Sequence, residues 1–386
     1  ALAASCNIGH LIRKRDGEPS EYEAIVTAMQ PACTQVPCKL DDIWMLMYTS
    51  GTTGRPKGAQ LTYQAHLFNA INATMKCEIT RSSTCLVFLP QFHVGGICMF
   101  AFPCFHLGAT TIVMRQFDPP ACLDLLSDAA IGITHTIGVP TNYLLLAQLP
   151  QFAAADFSHT VALTIGGASA PLSLLQTYAD KDVILQQVWG MTETCTMGTL
   201  LDKASALERL GSCGRKVLHT ELQIADPDGK ELPTGETGEL LIRGPLVTPG
   251  YWRKPEVNKA SFIDGWFKTG DAAYVDADGF YYIVDRWKDM YISGGENVYP
   301  AEVENVIYGL DCVAECAVIG IADETWGQIG RAFIVLKDGA NASEKLVADH
   351  CMANLAKFKV PRSIRFVDEL PHNATGKVTK HELPRD

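Results

Sequence analysis

Between Ile43 and Trp189 short apolar runs and helical stretches take turns, and no other feature limits the fold of these 386 residues so sharply. STCLVFLP, ITHTI, TVALTIGG and DVILQQVW have the length and composition of strands. PPACLDLLSDAA, VPTNYLLLAQL and a stretch opening at Pro171 have those of helices. Parallel neighbours need a crossover between them, and a helix is the usual crossover. The alternation therefore predicts an α/β chain with a doubly wound, mostly parallel sheet. In such sheets ligands sit beyond the carboxyl ends of the strands. GGASAP (166–171) and WGMTET (189–194) fall at two such ends.

The pattern changes after Gly211. ELQIADPDGKEL, GELLIRG and GFYYIVDR, with a DPDG turn in the first, predict a small antiparallel β subdomain over about 211–287. Beyond it, helix PAEVENVIYGL, strands CVAECAVIGI and RAFIVLK, helix SEKLVADHCMANLA and strand SIRFVDEL predict a compact α+β unit. The expected division is a large domain over 1–287 and a small one over 288–386. No long linker marks the boundary, so a hinge is expected there. The stretch His93–Met114 lacks charged residues other than its histidines, but Pro103 and three glycines make it buried helix and strand rather than a membrane span.

A net charge of −11 argues against nucleic acid as the main partner. The 13 cysteines are scattered, with no CxxC pair, and Cys312 and Cys316 lack histidines to complete a zinc site. Reduced thiols and the lack of a visible signal peptide predict a cytoplasmic protein.

Straight after the apolar run IWMLM comes YTSGTTGRPKG (48–58). Successive amides in a glycine-rich turn form an anion-binding concavity, hydroxyls add donors, and Lys57 adds a point charge. The spacing is not that of the Walker loop. Four further stretches have similar character. In WGMTET, Trp189 offers a flat face for a purine, Thr192 a hydroxyl, and Glu193 a hard oxygen for Mg2+. In KTGD (268–271), Asp271 can accept hydrogen bonds from two ribose hydroxyls. DRWKDMYISGGENVYP (285–300) brings Arg286 within reach of ribose or phosphate. LPHNATGKVTK (370–380) sets Lys377 after a Thr-Gly turn.

Taken in order, YTSGTTGRPKG, WGMTE, KTGD, DRWKD…SGGENVYPAEVE and ATGKV resemble the AMP-forming acyl-CoA synthetases of the adenylating superfamily, over about Trp44–Leu383. The resemblance implies a mobile C-terminal domain turning about Lys288, and an opening part of the large domain missing from this sequence. It implies β- and γ-phosphate binding by Thr49, Ser50, Gly51, Thr52, Thr53, Gly54 and Lys57. Gly167, Ala168, Trp189, Gly190 and Met191 would complete the nucleotide site. Thr192 would touch the α-phosphate, Glu193 would hold Mg2+, Asp271 and Arg286 would bind ribose, and Lys377 would serve the adenylating step. Ser293, Gly294 and Gly295 would face coenzyme A. Trp189 departs from the family's usual tyrosine.

The implied reaction joins a carboxylic acid to ATP, giving acyl-AMP and pyrophosphate, and then passes the acyl group to coenzyme A. His93, in FHVGG, stands where amino-acid-activating relatives carry an aspartate, and would border the acyl site. The segments 88–102, 134–144, 161–171 and 186–200 contain no Lys or Arg, so the tail of the acid is expected to be uncharged. A fatty acid and an aryl-propenoic acid both fit. Two other readings stand beside this one: an adenylating enzyme with a carrier-protein acceptor, and a non-catalytic nucleotide-binding fragment.

Overall fold

The computed structural model describes residues 21–30, 36–49, 56–287, 289–373 and 376–386. Residues 1–39 form one compact unit, with a helix at Glu21–Ala28, and residues 40–386 form a second. The second unit opens with an antiparallel pair, β1 (Ile43–Thr49) and β2 (Lys57–Thr62), whose register closes on Thr49 opposite Lys57. Thr49 and Lys57, the two ends of the phosphate-type stretch, thus lie side by side.

The main sheet has seven strands: β3 (Thr84–Val87), β4 (Thr110–Val113), β5 (His135–Gly138), β6 (Ala162–Gly166), β7 (Leu185–Trp189), β8 (Thr199–Leu200) and β9 (Arg215–Lys216). Their order is β4-β3-β5-β6-β7-β8-β9, with β4 through β7 parallel and the last two antiparallel. Strand order reverses around β3, which makes a crevice at the carboxyl ends of β3 and β5. Leu86, Leu163 and Ile165 pack with Leu123, Leu126, Leu146 and Tyr178 in one buried core. The buried tyrosines are satisfied: Tyr143 donates to the Thr164 carbonyl at 2.8 Å and Tyr178 to the Tyr143 carbonyl at 3.0 Å. The uncharged stretch 93–114 becomes helices Val94–Ile97 and Ala101–Leu107 followed by β4. Among the described residues no helix is long and apolar enough to cross a membrane.

The next five strands form an antiparallel sheet: β10 (Glu221–Ala225), β11 (Gly238–Arg243), β12 (Phe262–Ile263), β13 (Trp266–Val275) and β14 (Tyr281–Arg286). KTGD lies inside β13. The register against β11 slips there, Lys268 to Ala272 of β13 lying opposite Glu239 to Leu241 of β11, and Gly270 takes φ +72°. Such a bulge re-aims the side chain beside it, here Asp271.

The last sheet contains β15 (Tyr291–Ser293), β16 (Glu296–Val298), β17 (Val313–Asp323), β18 (Gly327–Leu336) and β19 (Ser363–Phe366), with helices Pro300–Ile307 and Glu344–Asn354. Val298, Val303, Ile307, Val318, Ile334 and Val347 make a core distinct from that of the main sheet. SGGENV is a β-hairpin between β15 and β16. Gly294 and Gly295 take φ +61° and +89°, as a two-residue hairpin turn requires.

Candidate active site

Two strand ends, those of β7 and β14, meet at Asp271 in the middle of β13, and one C-terminal turn lies close by. Asp271 sits opposite Arg286 in the β13–β14 register, so the ladder itself places a guanidinium beside the carboxylate. Arg286 Nε lies 2.7 Å from Oδ1. Trp189, the last residue of β7, donates its indole N–H to Oδ2 at 2.9 Å. Asp271 is only 3% exposed, and a charge so buried needs such partners. Trp189 is 8% exposed and packed in the main core. Little of its ring is left to stack on a purine.

Past Trp189 the chain turns sharply. A Cβ at Gly190 would lie 1.5 Å from the Thr196 carbonyl oxygen, so only glycine fits. Thr192–Thr194 form one short 3-10 turn, then Cys195 and Thr196 take φ +51° and +109°. Two consecutive non-glycine residues in that region are strained, and such strain gathers at functional sites. Met191 stands at the start of this turn, where Thr194 Oγ1 accepts its N–H at 3.0 Å. Thr192 is buried, as is Glu193, whose Oε1 accepts the Tyr251 hydroxyl at 2.6 Å. Tyr251 also carries Lys57 Nζ over its ring, 4.4 Å from the centroid. The carboxylate and burial push its phenol well above the usual range, burial being the larger cause. Lys57, at the foot of the phosphate loop, is thereby tied to Glu193. Tyr251 escaped the sequence reading; its one signal was a PGYW turn.

Gly167, with φ +80°, and Ala168 lie exposed at the carboxyl end of β6. The C-terminal turn reaches the neighbouring end of β5. Thr141 Oγ1 donates to the Gly376 carbonyl at 3.2 Å, and a Cβ on Gly376 would touch Val139. Asn373 shapes the turn, exchanging backbone bonds with Gly376 and Lys377 and accepting the Lys377 N–H at its side chain. Lys377 is thus held in the site. Burial first, then the neighbouring Arg286 charge, bring its ammonium down to about 8, against the opposing pull of Asp271 and Asp289. His93 is half-buried, and its Nδ1 accepts the Gly95 N–H at 3.2 Å, capping the short helix that follows. Burial and the Lys377 charge lower its pKa, so the imidazole is neutral and Nε2 carries the proton.

Ser293 is buried and Gly294 lies against Trp326, whose ring stacks under Arg362 at 4.5 Å. These contacts belong to the C-terminal sheet. Ser50, Gly51, Thr52, Thr53, Gly54 and Lys288 lie outside the described residues. Thr49 ends β1, its Oγ1 3.5 Å from the Lys57 carbonyl.

Among the described residues no group of three or more His, Cys, Asp or Glu side chains could hold a metal. Mg2+ needs no such cage: it is commonly held by one or two carboxylates plus substrate phosphates. Glu193, buried beside the phosphate-loop lysine, fits that pattern.

The AMP-binding enzyme profile matches residues 7–252, and the AMP-binding enzyme C-terminal domain matches 302–377. A feruloyl-CoA synthase from Amycolatopsis sp. is 40% identical over 385 residues, all of this chain and 76% of that protein. ATP-bound MatB from Rhodopseudomonas palustris superposes with TM-score 0.87 at 33% identity, covering 94% of this chain and 72% of MatB. The MenE o-succinylbenzoate CoA synthetase of Bacillus subtilis, with its acyl-adenylate OSB-AMP, gives 0.79 at 35%, covering 89% and 69%. The chain belongs to the AMP-binding enzyme family, and within it to the AMP-forming acid–CoA ligases.

Proposed function

We propose that this ligase activates an aryl-propenoic acid of the hydroxycinnamate type, in two half-reactions that share one site. The observation that carries the site reading is that Lys377 has Arg286 and Asp271 as electrostatic neighbours, with Trp189 bonded to the same Asp271 carboxylate. The choice of acid is supported by the wall segments free of Lys and Arg, and by the feruloyl-CoA synthase relative.

In the first half-reaction the substrate carboxylate attacks the α-phosphorus of ATP. Both are anions, so positive charge must already be in place. Lys377 supplies it from the C-terminal turn. Asp271, aligned by Arg286 and Trp189, accepts the ribose hydroxyls. Thr192, with the Gly190–Met191 backbone, borders the α-phosphate. Lys57 and the loop from Thr49 take the departing pyrophosphate. Mg2+ at Glu193 would neutralise phosphate charge as a Lewis acid. Neutral His93 presents Nε2–H to the acyl carboxylate without adding charge. The 288–386 portion then turns about Lys288, withdrawing Lys377 and bringing the Ser293–Gly295 hairpin toward the acyl-AMP for attack by the coenzyme A thiol.

The test is a panel of acids with ATP and coenzyme A, read by mass spectrometry of the thioesters. Ferulate and cinnamate should give the highest kcat/KM. Preference for octanoate or palmitate would move the reading to a fatty acid. Lys288→Pro should let acyl-AMP accumulate while thioester release slows, because proline fixes φ at the pivot. Wild-type rates in both steps would remove Lys288 from that role.

A further inference from the structure

We propose that Trp189 is a positioning residue for Asp271: its indole N–H fixes the carboxylate so that a vicinal diol reaches both oxygens at once. The inference rests on the adenylation reading above and assigns the indole a task other than stacking.

Asp271 is held from two sides. Arg286 Nε takes Oδ1 at 2.7 Å and Trp189 Nε1 takes Oδ2 at 2.9 Å. The arginine is set by cross-strand register. The indole is set by packing. A Cβ at Gly198 would lie 2.3 Å from its Cζ3 and 2.7 Å from its Cε3, so the ring fills the space a side chain would take. Gly198 is itself pinned, donating its N–H to the Trp189 carbonyl at 2.8 Å. With the backbone fixed and the ring locked, the N–H has one direction.

An indole N–H donates and never accepts, so it cannot exchange roles with the carboxylate. It is neutral, so it orients the carboxylate without adding a second cation to the Arg286 pair. Each carboxylate oxygen accepts more than one hydrogen bond. With the indole donor fixed on Oδ2 and the guanidinium paired with Oδ1, the acceptor positions that remain suit two adjacent hydroxyls, the 2′ and 3′ groups of a ribose. Without the indole N–H, the carboxylate is held at one oxygen and can turn about Cβ–Cγ. It would then meet one hydroxyl well and the other badly.

The experiment compares KM for ATP and for 2′,3′-dideoxy-ATP in wild type, Trp189→Phe and Asp271→Ala, at saturating acid. Wild type should prefer ATP strongly, and Asp271→Ala should erase the preference. Trp189→Phe keeps an aromatic ring and removes the donor. It should shrink the preference about tenfold, at the lower end for a hydrogen bond to a charged group. KM for the acid should not move. Equal weakening toward both nucleotides would mean the ring acts only by packing or stacking, and would overturn the inference, as would an unchanged preference. If Asp271→Ala itself keeps the preference, the ribose assignment fails first. Should Trp189→Phe melt early, Gly198→Ala reads the same ratio, because it displaces the ring and so moves its N–H off the carboxylate while the indole itself is kept. Full preference in that variant would also overturn the proposal.

Discussion

The wall made by β7, β13 and β14 and the C-terminal segment 371–382 handle charge differently. In the wall, Asp271 faces Arg286 by register and Trp189 by packing, so the carboxylate is oriented before any ligand arrives. In the C-terminal segment two half-buried lysines, three residues apart, shift in opposite directions. Lys377 falls to about 8 through burial and the Arg286 charge. Burial would also lower Lys380, but Glu304, 2.7 Å from its Nζ, and Asp285 reverse this and raise it. Complementary partners make Lys380 structural. Around Lys377 two cations, Arg286 and Lys380, stand against two carboxylates, Asp271 and Asp289, so burial decides the shift, and a buried lysine with a lowered pKa is the environment of a group kept for an anion.

The largest expected effect breaks the contrast at Lys377. Lys377→Ala should lower adenylation by at least 100-fold, taking a lost oxyanion donor, about 3 kcal/mol, as the guide. Thioester formation from supplied acyl-AMP should survive, and equal loss of both half-reactions would contradict the division of labour. Asp271→Ala strikes the wall. It should raise KM for ATP by about 10- to 100-fold, from charged hydrogen bonds of about 1.5–3 kcal/mol, while KM for the acid stays put.

The pH profile sharpens the same comparison. Lys377 must be protonated to meet phosphate, and in the free enzyme it loses its proton near 8. At saturating acid, kcat/KM for ATP should therefore hold below about pH 8 and fall tenfold per unit above it, since this ratio reports the free enzyme. Lys377→Arg, charged throughout, should flatten the fall whatever its absolute rate. Lys380→Met tests the structural lysine. It leaves Glu304 facing a hydrophobic stem, and thermal melts should show a loss of about 1–3 kcal/mol, less than for a fully buried pair because some solvent reaches both groups. The smallest effect belongs to Gly294→Ala. A Cβ there meets Trp326 at 2.7 Å with φ at +61°, so about 1 kcal/mol of stability should go, with KM for coenzyme A as the kinetic readout.

Legibility followed the range of the interactions. The parallel sheet could be read from Ile43 to Trp189 because each strand is an apolar run bounded by turns. The C-terminal strands and helices could be read for the same reason. The SGGENV hairpin was lost because its strands have three residues each, too few to show alternation. KTGD was an Asp after a glycine in sequence, and a bulge in space. Tyr251 could not be linked to Glu193, since 58 residues separate them.

By itself the sequence determined the classes of element, the order of the polar, glycine-rich motifs and the chemical type of each candidate group. These depend on local periodicity, on glycine's freedom at positive φ, and on which side chains carry charge. Only the tertiary structure decided which groups meet. Whether Trp189 stacks or donates, whether Lys377 or Lys380 is the underpaired lysine, and how Asp271 is aimed depend on contacts across 82, 91 and 15 positions of chain (Trp189–Asp271, Lys377–Arg286 and Asp271–Arg286). A hydrogen bond or a shifted pKa is a property of a pair and its surroundings, and folding is what assembles the pair.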